Sequence, residues 1–166
     1  TKEGDVNLTQ IMRFLIPAEM QIGSFPSDQM LTEFDLVIEY SGIRDACISG
    51  DIQTLESEIE KNMQIYLSSG VYLAVEKLRH LTLRNLFKKI AMSQIESEPS
   101  ELQAKPVLIL PLSTPFKMLI GWDKDLDIDE LECILAGLIS IGYIKGYISH
   151  EKQFLVVSRD IDKAFP

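Results

Sequence analysis

Five basic residues within a thirteen-residue stretch are the most distinctive group of chemically active side chains in this sequence. Residues 77–89 hold five Lys or Arg and no acid, whereas residues 1–75 carry 12 acids and 4 bases, and residues 90–132 carry 9 and 3. Clustered cations attract phosphates or carboxylates and accelerate association with an acidic partner. Together with basic residues near the end of the chain, the stretch predicts a binding surface for nucleic acid or for an acidic protein. Its residues are Lys77, Arg79, Arg84, Lys88, Lys89, Lys145, His150 and Lys152.

Side chains suited to covalent or metal chemistry are few. The two cysteines, Cys47 and Cys133, lie among apolar residues and are predicted to be buried, reduced thiols. Only His80 and His150 could join them, and the spacing fits no zinc pattern. The acidic stretch 123–132 lacks the glycine and glutamate that a calcium loop requires. No nucleophile elbow, phosphate-binding glycine loop or dinucleotide fingerprint occurs, so we expect no catalytic residue, metal or cofactor.

Composition indicates a folded chain. Hydrophobic residues make up 46% of the 166 residues, enough for a sizeable core. No apolar run reaches the roughly 18 residues of a membrane span, and no secretory signal follows Thr1. We therefore expect a soluble, intracellular fragment of a longer protein, without membrane contact. The net charge of −9 argues against non-specific nucleic-acid binding by the surface as a whole.

The first half of the chain has the pattern of paired antiparallel helices. Helices are expected over about 8–22 with Thr9 as cap, from Pro26 to Phe34, and over 36–49, 51–68 and 71–80. Asp51 should cap the fourth. Short connections between such helices are typical of a helical-repeat region, assigned here to residues 1–80. The apolar stripe of the fourth helix comprises Ile52, Leu55, Ile59, Met63 and Leu67.

The second half has the order of a winged helix. Thr82 is expected to cap a helix that runs to about Ile95. Its buried face should comprise Leu83, Leu86, Phe87, Ile90 and Ala91. A loop, a strand at 107–112 and a brief helix are expected to follow. Asp127 should cap the next helix, which ends near Gly142, and two short strands flank a four-residue loop at 150–153. The fold is therefore expected to be mainly α, a helical repeat followed by a winged helix at 81–166 with a three-stranded antiparallel sheet.

The helix that a winged helix usually lays in the major groove is acidic here. It carries Asp127, Asp129, Glu130 and Glu132 and no Lys or Arg. Carboxylates repel phosphates and release no counterions, which argues against sequence-specific reading of DNA. Any RNA or DNA contact is expected to be weak, salt-sensitive and non-specific, using the basic residues named above.

A second candidate surface is the edge of the predicted sheet. Tyr143, Ile144, Tyr147 and Ile148 should form a strand whose outer edge needs a partner or a cover. The winged helix of another protein or this domain's own first strand could supply it. We assign Tyr143, Tyr147 and Phe154 to a partner interface.

Several segments resemble the PCI domains of the proteasome lid, the signalosome and initiation factor three. ISGDIQTLESEIEKN (48–62) is similar to the helical-repeat signature, and LRNLFKKI (83–90), DIDELECILAGLISIGYIKGYIS (127–149) and FLVVS (154–158) resemble the winged-helix half. RFLIPAEMQIG (13–23), IKGYISH and the final Phe165-Pro166 are similar to one branch. That branch contains the PCI subunit of the nuclear transcription and mRNA-export complex and a signalosome-associated paralog tied to mRNA processing.

The resemblance implies a non-catalytic scaffold. It implies pairing with a second PCI protein through the winged helices, and binding of a small, acidic, disordered protein shared with the proteasome lid. The expected role is mRNA export or processing coupled to transcription, in the nucleus and also in the cytoplasm. Two alternatives stay open: a stand-alone winged-helix regulator that binds nucleic acid, and a signalosome-associated subunit.

Overall fold

A computed structural model describes residues 2–99, 105–123 and 126–166, with side chains from residue 7 onward. The chain divides into two compact units, Thr1–Leu83 and Arg84–Pro166. The division falls within a long helix, and each unit has its own core. Within the described residues, no helix combines the length and apolarity needed to cross a bilayer.

The first unit is helical, and its helix ends follow local chemistry. Asp51 accepts a hydrogen bond from the backbone N–H of Thr54 at 3.0 Å, as predicted for a cap. Gly50, with φ of +70°, ends the preceding helix in a left-handed conformation that other residues adopt only with strain. Helices α3 and α4 pack against each other, and α5 contacts both α4 and α1. The helices are α1 (Lys2–Gln21), α2 (Asp28–Glu33), α3 (Val37–Ser49), α4 (Ile52–Ser69), α5 (Tyr72–Glu76) and α6 (Leu78–Ser97).

Three predicted helix starts were wrong. Helix α1 begins at Lys2 rather than at Thr9, and α2 begins at Asp28 with Ser27 as its cap rather than at Pro26. Helix α6 begins four residues before Thr82, whose buried hydroxyl donates to the carbonyl of Leu78 at 2.9 Å. A threonine can bond backward within a helix as well as cap it, so residue type alone did not identify the start.

A buried polar network joins three helices of the first unit. The Arg13 guanidinium donates to both carboxylate oxygens of Glu39, at 2.6 and 2.8 Å. The hydroxyls of Tyr40 and Tyr66 donate to the carbonyls of Arg13 and Glu39, at 2.7 and 2.5 Å. Because every buried polar group here has a partner on another helix, the network fixes the register of α1, α3 and α4.

The buried face of α4 departs from the predicted stripe at its end. Ile52, Leu55 and Ile59 are buried as expected, but Leu67 is 55% exposed. Asn62 and Tyr66 continue the face instead, because both reach backbone carbonyls of α3. A prediction based on apolar residues alone therefore gave the wrong buried residues for the last two turns of α4.

The second unit is a winged helix with a three-stranded antiparallel sheet, which confirms the predicted fold class. Asp127 caps its third helix by accepting from the N–H of Glu130 at 2.7 Å. Leu131, Leu135 and Leu138 form that helix's buried face, and the predicted buried residues of α6 are all buried. Following the second half of α6, the elements are β1 (Val107–Pro111), α7 (Ser113–Leu119), α8 (Ile128–Ser140), β2 (Gly146–Ser149), β3 (Phe154–Ser158) and α9 (Ile161–Ala164).

The strand order is β1-β3-β2. Val156 of the central strand pairs with Ile109 on one side and Tyr147 on the other. The expectation that β1 could cover the outer edge of β2 was therefore wrong, because β1 occupies the opposite edge. The predicted strand residues Tyr143 and Ile144 precede β2 rather than belong to it.

Candidate partner-binding surface

The basic stretch 77–89 is divided between the two units. Lys77 and Arg79 lie in the first unit, and the side chain of Lys77 is exposed. Arg79 is engaged within the unit: its guanidinium lies 2.5 and 2.7 Å from the two carboxylate oxygens of Glu56 and 2.8 Å from Glu76. These hydrogen bonds raise the pKa of Arg79. Arg79 therefore contributes to packing between helices more than to an external charge.

In the second unit, two of the three basic residues of this stretch also have internal partners. The Arg84 guanidinium donates to the carbonyl of Pro166 at 2.5 Å and to Asn85 at 2.6 Å, and partial burial lowers its pKa. Lys88 Nζ lies 3.1 Å from Asp162. Lys89 is exposed, with no ion pair among the described residues, and it flanks a shallow groove of about 370 Å³. Lys89 is thus the best placed of the three to meet an anionic partner.

The wing is the hairpin formed by β2, β3 and the loop 150–153 between them. The predicted basic residues near it also differ in whether they have a partner within the unit. Lys145 and Lys152 have exposed side chains. His150 Nδ1 lies 2.8 Å from Glu132 Oε2, and this hydrogen bond raises the pKa of the imidazole. The wing loop is therefore held against α8 by a side-chain contact.

The sheet edge is the most open apolar feature near the wing. Tyr147 on β2 is 64% exposed. Tyr143 is partly buried, and desolvation raises the pKa of its phenol. Phe154 is half-buried on β3, opposite Pro111 and Ser149. Of the three predicted interface residues, Tyr147 is therefore the one whose side chain is free to meet another protein.

Helix α8 presents an acidic surface. Asp129 and Glu130 are exposed, and no Lys or Arg occurs between Ile128 and Ser140. In the folded molecule, too, these carboxylates would repel a phosphate backbone laid along the helix.

One of the two cysteine predictions was wrong. Cys47 is buried as expected; its sulfur lies 3.3 Å from the Thr82 hydroxyl oxygen, and burial raises the pKa of the thiol to about 11. Cys133 is exposed instead. The buried face of α8 passes through Leu131 and Leu135, which turns position 133 toward solvent.

A cluster of potential metal ligands was missed by the sequence analysis. Asp129, Glu132 and His150 place one donor atom each within 4.8 Å of one another. His150 follows Glu132 by 18 residues in sequence, so no spacing motif connects them. The three residues come together only in the folded chain, where the wing loop contacts α8.

Two sequence segments that carry the family resemblance meet in the structure. The backbone N–H of Lys145, within IKGYISH, donates to the carbonyl of Ala164 at 2.8 Å. Phe165 next to it is 1% exposed. Phe165 is therefore part of the winged helix's core, whereas Pro166 is exposed.

Comparison with known proteins agrees with this architecture. The PCI domain pattern matches residues 52–159. The chain is 34% identical over 153 residues to Enhanced ethylene response protein 5 of Arabidopsis thaliana, and 36% identical over 155 residues to PCI domain-containing protein 2 of Danio rerio. Each alignment covers 92% of this chain and 36% of the relative.

A nematode relative, the PCI domain-containing protein 2 homolog of Caenorhabditis elegans, is 34% identical over 160 residues, which cover 96% of this chain and 36% of the relative. The chain thus spans about a third of the length of these relatives. On the matched domain and the identity to these relatives, the chain belongs to the PCI domain family, in the branch that includes the PCI domain-containing protein 2 homologues.

Proposed function

We propose that this chain is part of a non-catalytic scaffold subunit that pairs with a second PCI protein through the outer edge of β2. The complex serves nuclear mRNA export, or mRNA processing coupled to transcription. The observation that carries the pairing is the edge itself: β2 hydrogen-bonds to β3 on one side, and no described strand lies on the other. PCI proteins typically assemble with other PCI proteins.

The chemistry of the edge supports a protein partner. The exposed Tyr147 offers a large apolar face with a polar tip, a side chain enriched in protein interfaces. An unpaired strand edge accepts a strand from another chain through backbone hydrogen bonds. The acidic α8 beside the wing favours protein over nucleic acid as the partner of this part of the unit.

The proposed complex also contains the small, acidic, disordered protein expected from the family resemblance. Exposed lysines in both units, Lys77 in the first and Lys89, Lys145 and Lys152 in the second, support binding of carboxylate-rich segments. A disordered acidic chain can follow separated cations because it orders as it binds.

Affinity purification of the tagged chain from nuclear extract, followed by mass spectrometry, tests the pairing. We expect the chain to recover a second PCI protein together with export or processing factors. Tyr147→Asp should abolish this recovery, because it places a charge on the apolar interface. Ile22→Asp is the matched control, since Ile22 is 83% exposed and lies in the first unit.

Two outcomes contradict the proposal. Recovery of signalosome subunits alone would favour the signalosome-associated role. Undiminished recovery of the PCI partner by the Tyr147→Asp chain would exclude the β2 edge as the pairing surface.

A second candidate activity, weak non-specific nucleic-acid contact, rests on the exposed Lys89. Charge reversal at Lys89 should lower affinity for single-stranded RNA about three- to tenfold at low salt, because it removes a phosphate contact and adds repulsion. Lys88→Glu is a poorer probe, since it also breaks the ion pair with Asp162. Fluorescence anisotropy against salt concentration measures the effect.

Lys61→Glu matches the change in net charge in the first unit, where Lys61 is 62% exposed. It breaks an ion pair with Glu58, but that pair lies within one turn of α4, whereas the Lys88 pair joins α6 to α9. An equal loss of affinity in both variants would attribute binding to overall charge rather than to Lys89. Unchanged affinity in the Lys89 variant would remove this residue from the proposed surface.

A further inference from the structure

Three potential metal ligands lie close together in the second unit. Two are in the first turns of α8, and the third is in the wing loop. Asp129 and Glu132 are one helical turn apart on α8, so both side chains lie on one side of the helix. His150 begins the loop between β2 and β3, and its Nδ1 lies 2.8 Å from Glu132 Oε2. The three donor atoms lie within 4.8 Å of one another.

Glu132 is the unusual member of the group. Its side chain is only 14% exposed, and Oε1 is buried with no hydrogen-bond donor among the described residues. A buried carboxylate oxygen without a partner is costly, so such an atom in a folded protein needs an explanation. The other oxygen of this carboxylate, Oε2, faces His150, so a cation bound by Glu132, Asp129 and His150 would neutralise the largely buried negative charge of Glu132.

We propose that Asp129, Glu132 and His150 bind a divalent transition-metal ion of the zinc class. One imidazole nitrogen with two carboxylates suits zinc, cobalt or nickel, whereas calcium and magnesium favour sites built from oxygen ligands. Two donors that each lie about 2.1 Å from zinc are about 3.4 Å apart in a tetrahedral site. The observed separations of the donor atoms therefore need side-chain shifts on the order of an ångström.

Charge and exposure favour the same ion. Two carboxylates outweigh the roughly half positive charge of the nearby helix N-terminus, so the site attracts cations. The His150 side chain is 77% exposed and Asp129 is exposed, which leaves access for the ion and room for water at a fourth position. A bound ion would fasten the wing loop to α8, next to the edge of the sheet.

Isothermal titration of ZnCl2 into the 166-residue chain tests the site. The Cys133→Ser background is used throughout, because the exposed thiol could itself bind zinc. We expect one equivalent of zinc to bind, and His150→Ala to weaken binding at least about tenfold. His80→Ala, at the other exposed histidine, should leave the affinity unchanged.

A second variant and a second readout exclude a folding artefact. Glu132→Gln keeps the shape of the side chain and should also weaken zinc binding, while CaCl2 should not compete at equal concentration. Zinc should raise the midpoint of thermal unfolding in the His80→Ala chain and leave the His150→Ala chain unchanged. The proposal is overturned if zinc does not bind, if His150→Ala and His80→Ala bind it equally, or if calcium competes as well as zinc.

Discussion

Replacing Leu135 by Asp is expected to unfold the winged helix. Leu135 is 0% exposed at the centre of the buried face of α8, between Leu131 and Leu138. Aspartate there removes the apolar contacts of the leucine and places a carboxylate where no cation or donor replaces water. We expect a loss of more than about 4 kcal/mol, a large part of the 5–15 kcal/mol that a domain typically has. Urea denaturation followed by circular dichroism measures the loss.

Ala136→Asp is the matched control for this change. Ala136 is exposed on the same helix, one residue further along, so the variant adds the same charge without burying it. Aspartate is a weaker helix former than alanine, and we expect a loss of about 0.5–0.7 kcal/mol. A stable, cooperatively folded Leu135→Asp chain would contradict the position of α8 in the core.

The sequence identified most elements because their signals are local. Asp51 and Asp127 were recognised as caps, and Gly50 as a helix end, because each acts on backbone groups within four residues. The hairpin loop at 150–153 was likewise predicted from the two apolar runs that flank it, which form β2 and β3. The start of α6 was missed, because Thr82 lies inside the helix and donates backward to the carbonyl of Leu78 instead of capping the helix.

The candidate surfaces were harder to predict, because they depend on contacts between distant residues. Five bases within thirteen residues suggested a continuous positive surface, yet Arg79 and Lys88 pair with Glu56 and Asp162, which lie 23 and 74 residues away in sequence. No local pattern identifies such partners. The exposed Tyr147 was easier to anticipate, because strand alternation and a position at the sheet edge both follow from the hairpin.

Protein pairing and nucleic-acid binding place different demands on the second unit. Binding along a phosphate backbone requires a cationic helix face, whereas α8 offers carboxylates, so a stand-alone regulator would need to rely on separated lysines such as Lys89 and Lys152. Pairing through β2 requires only an ordered strand edge and an apolar contact. The residues that shape that edge should therefore matter more for function than those that set its charge.

Gly146→Ala should destabilise the wing strongly, although it adds a single methyl group. A Cβ at position 146 would clash with the backbone carbonyl oxygen of Val156 and lie 2.8 Å from Val157 Cγ1, so β2 would have to move away from β3. Overpacking against backbone leaves little room for relaxation, and we expect a loss on the order of 3 kcal/mol. Thermal unfolding measures the loss, and recovery of the PCI partner should fall with it, because the displaced strand is the proposed pairing edge.

Gly137→Ala adds the same methyl group but is expected to stabilise the chain. Gly137 is exposed within α8, and a Cβ there would meet no atom within 4 Å. Alanine favours the helix over glycine, so stability should rise by about 1 kcal/mol. Opposite shifts in the two variants would show that the glycine of IKGYISH is required by the close approach of β2 to Val156. A Gly146→Ala chain as stable as the parent, with undiminished recovery of the PCI partner, would contradict the close approach of β2 to β3 at this position.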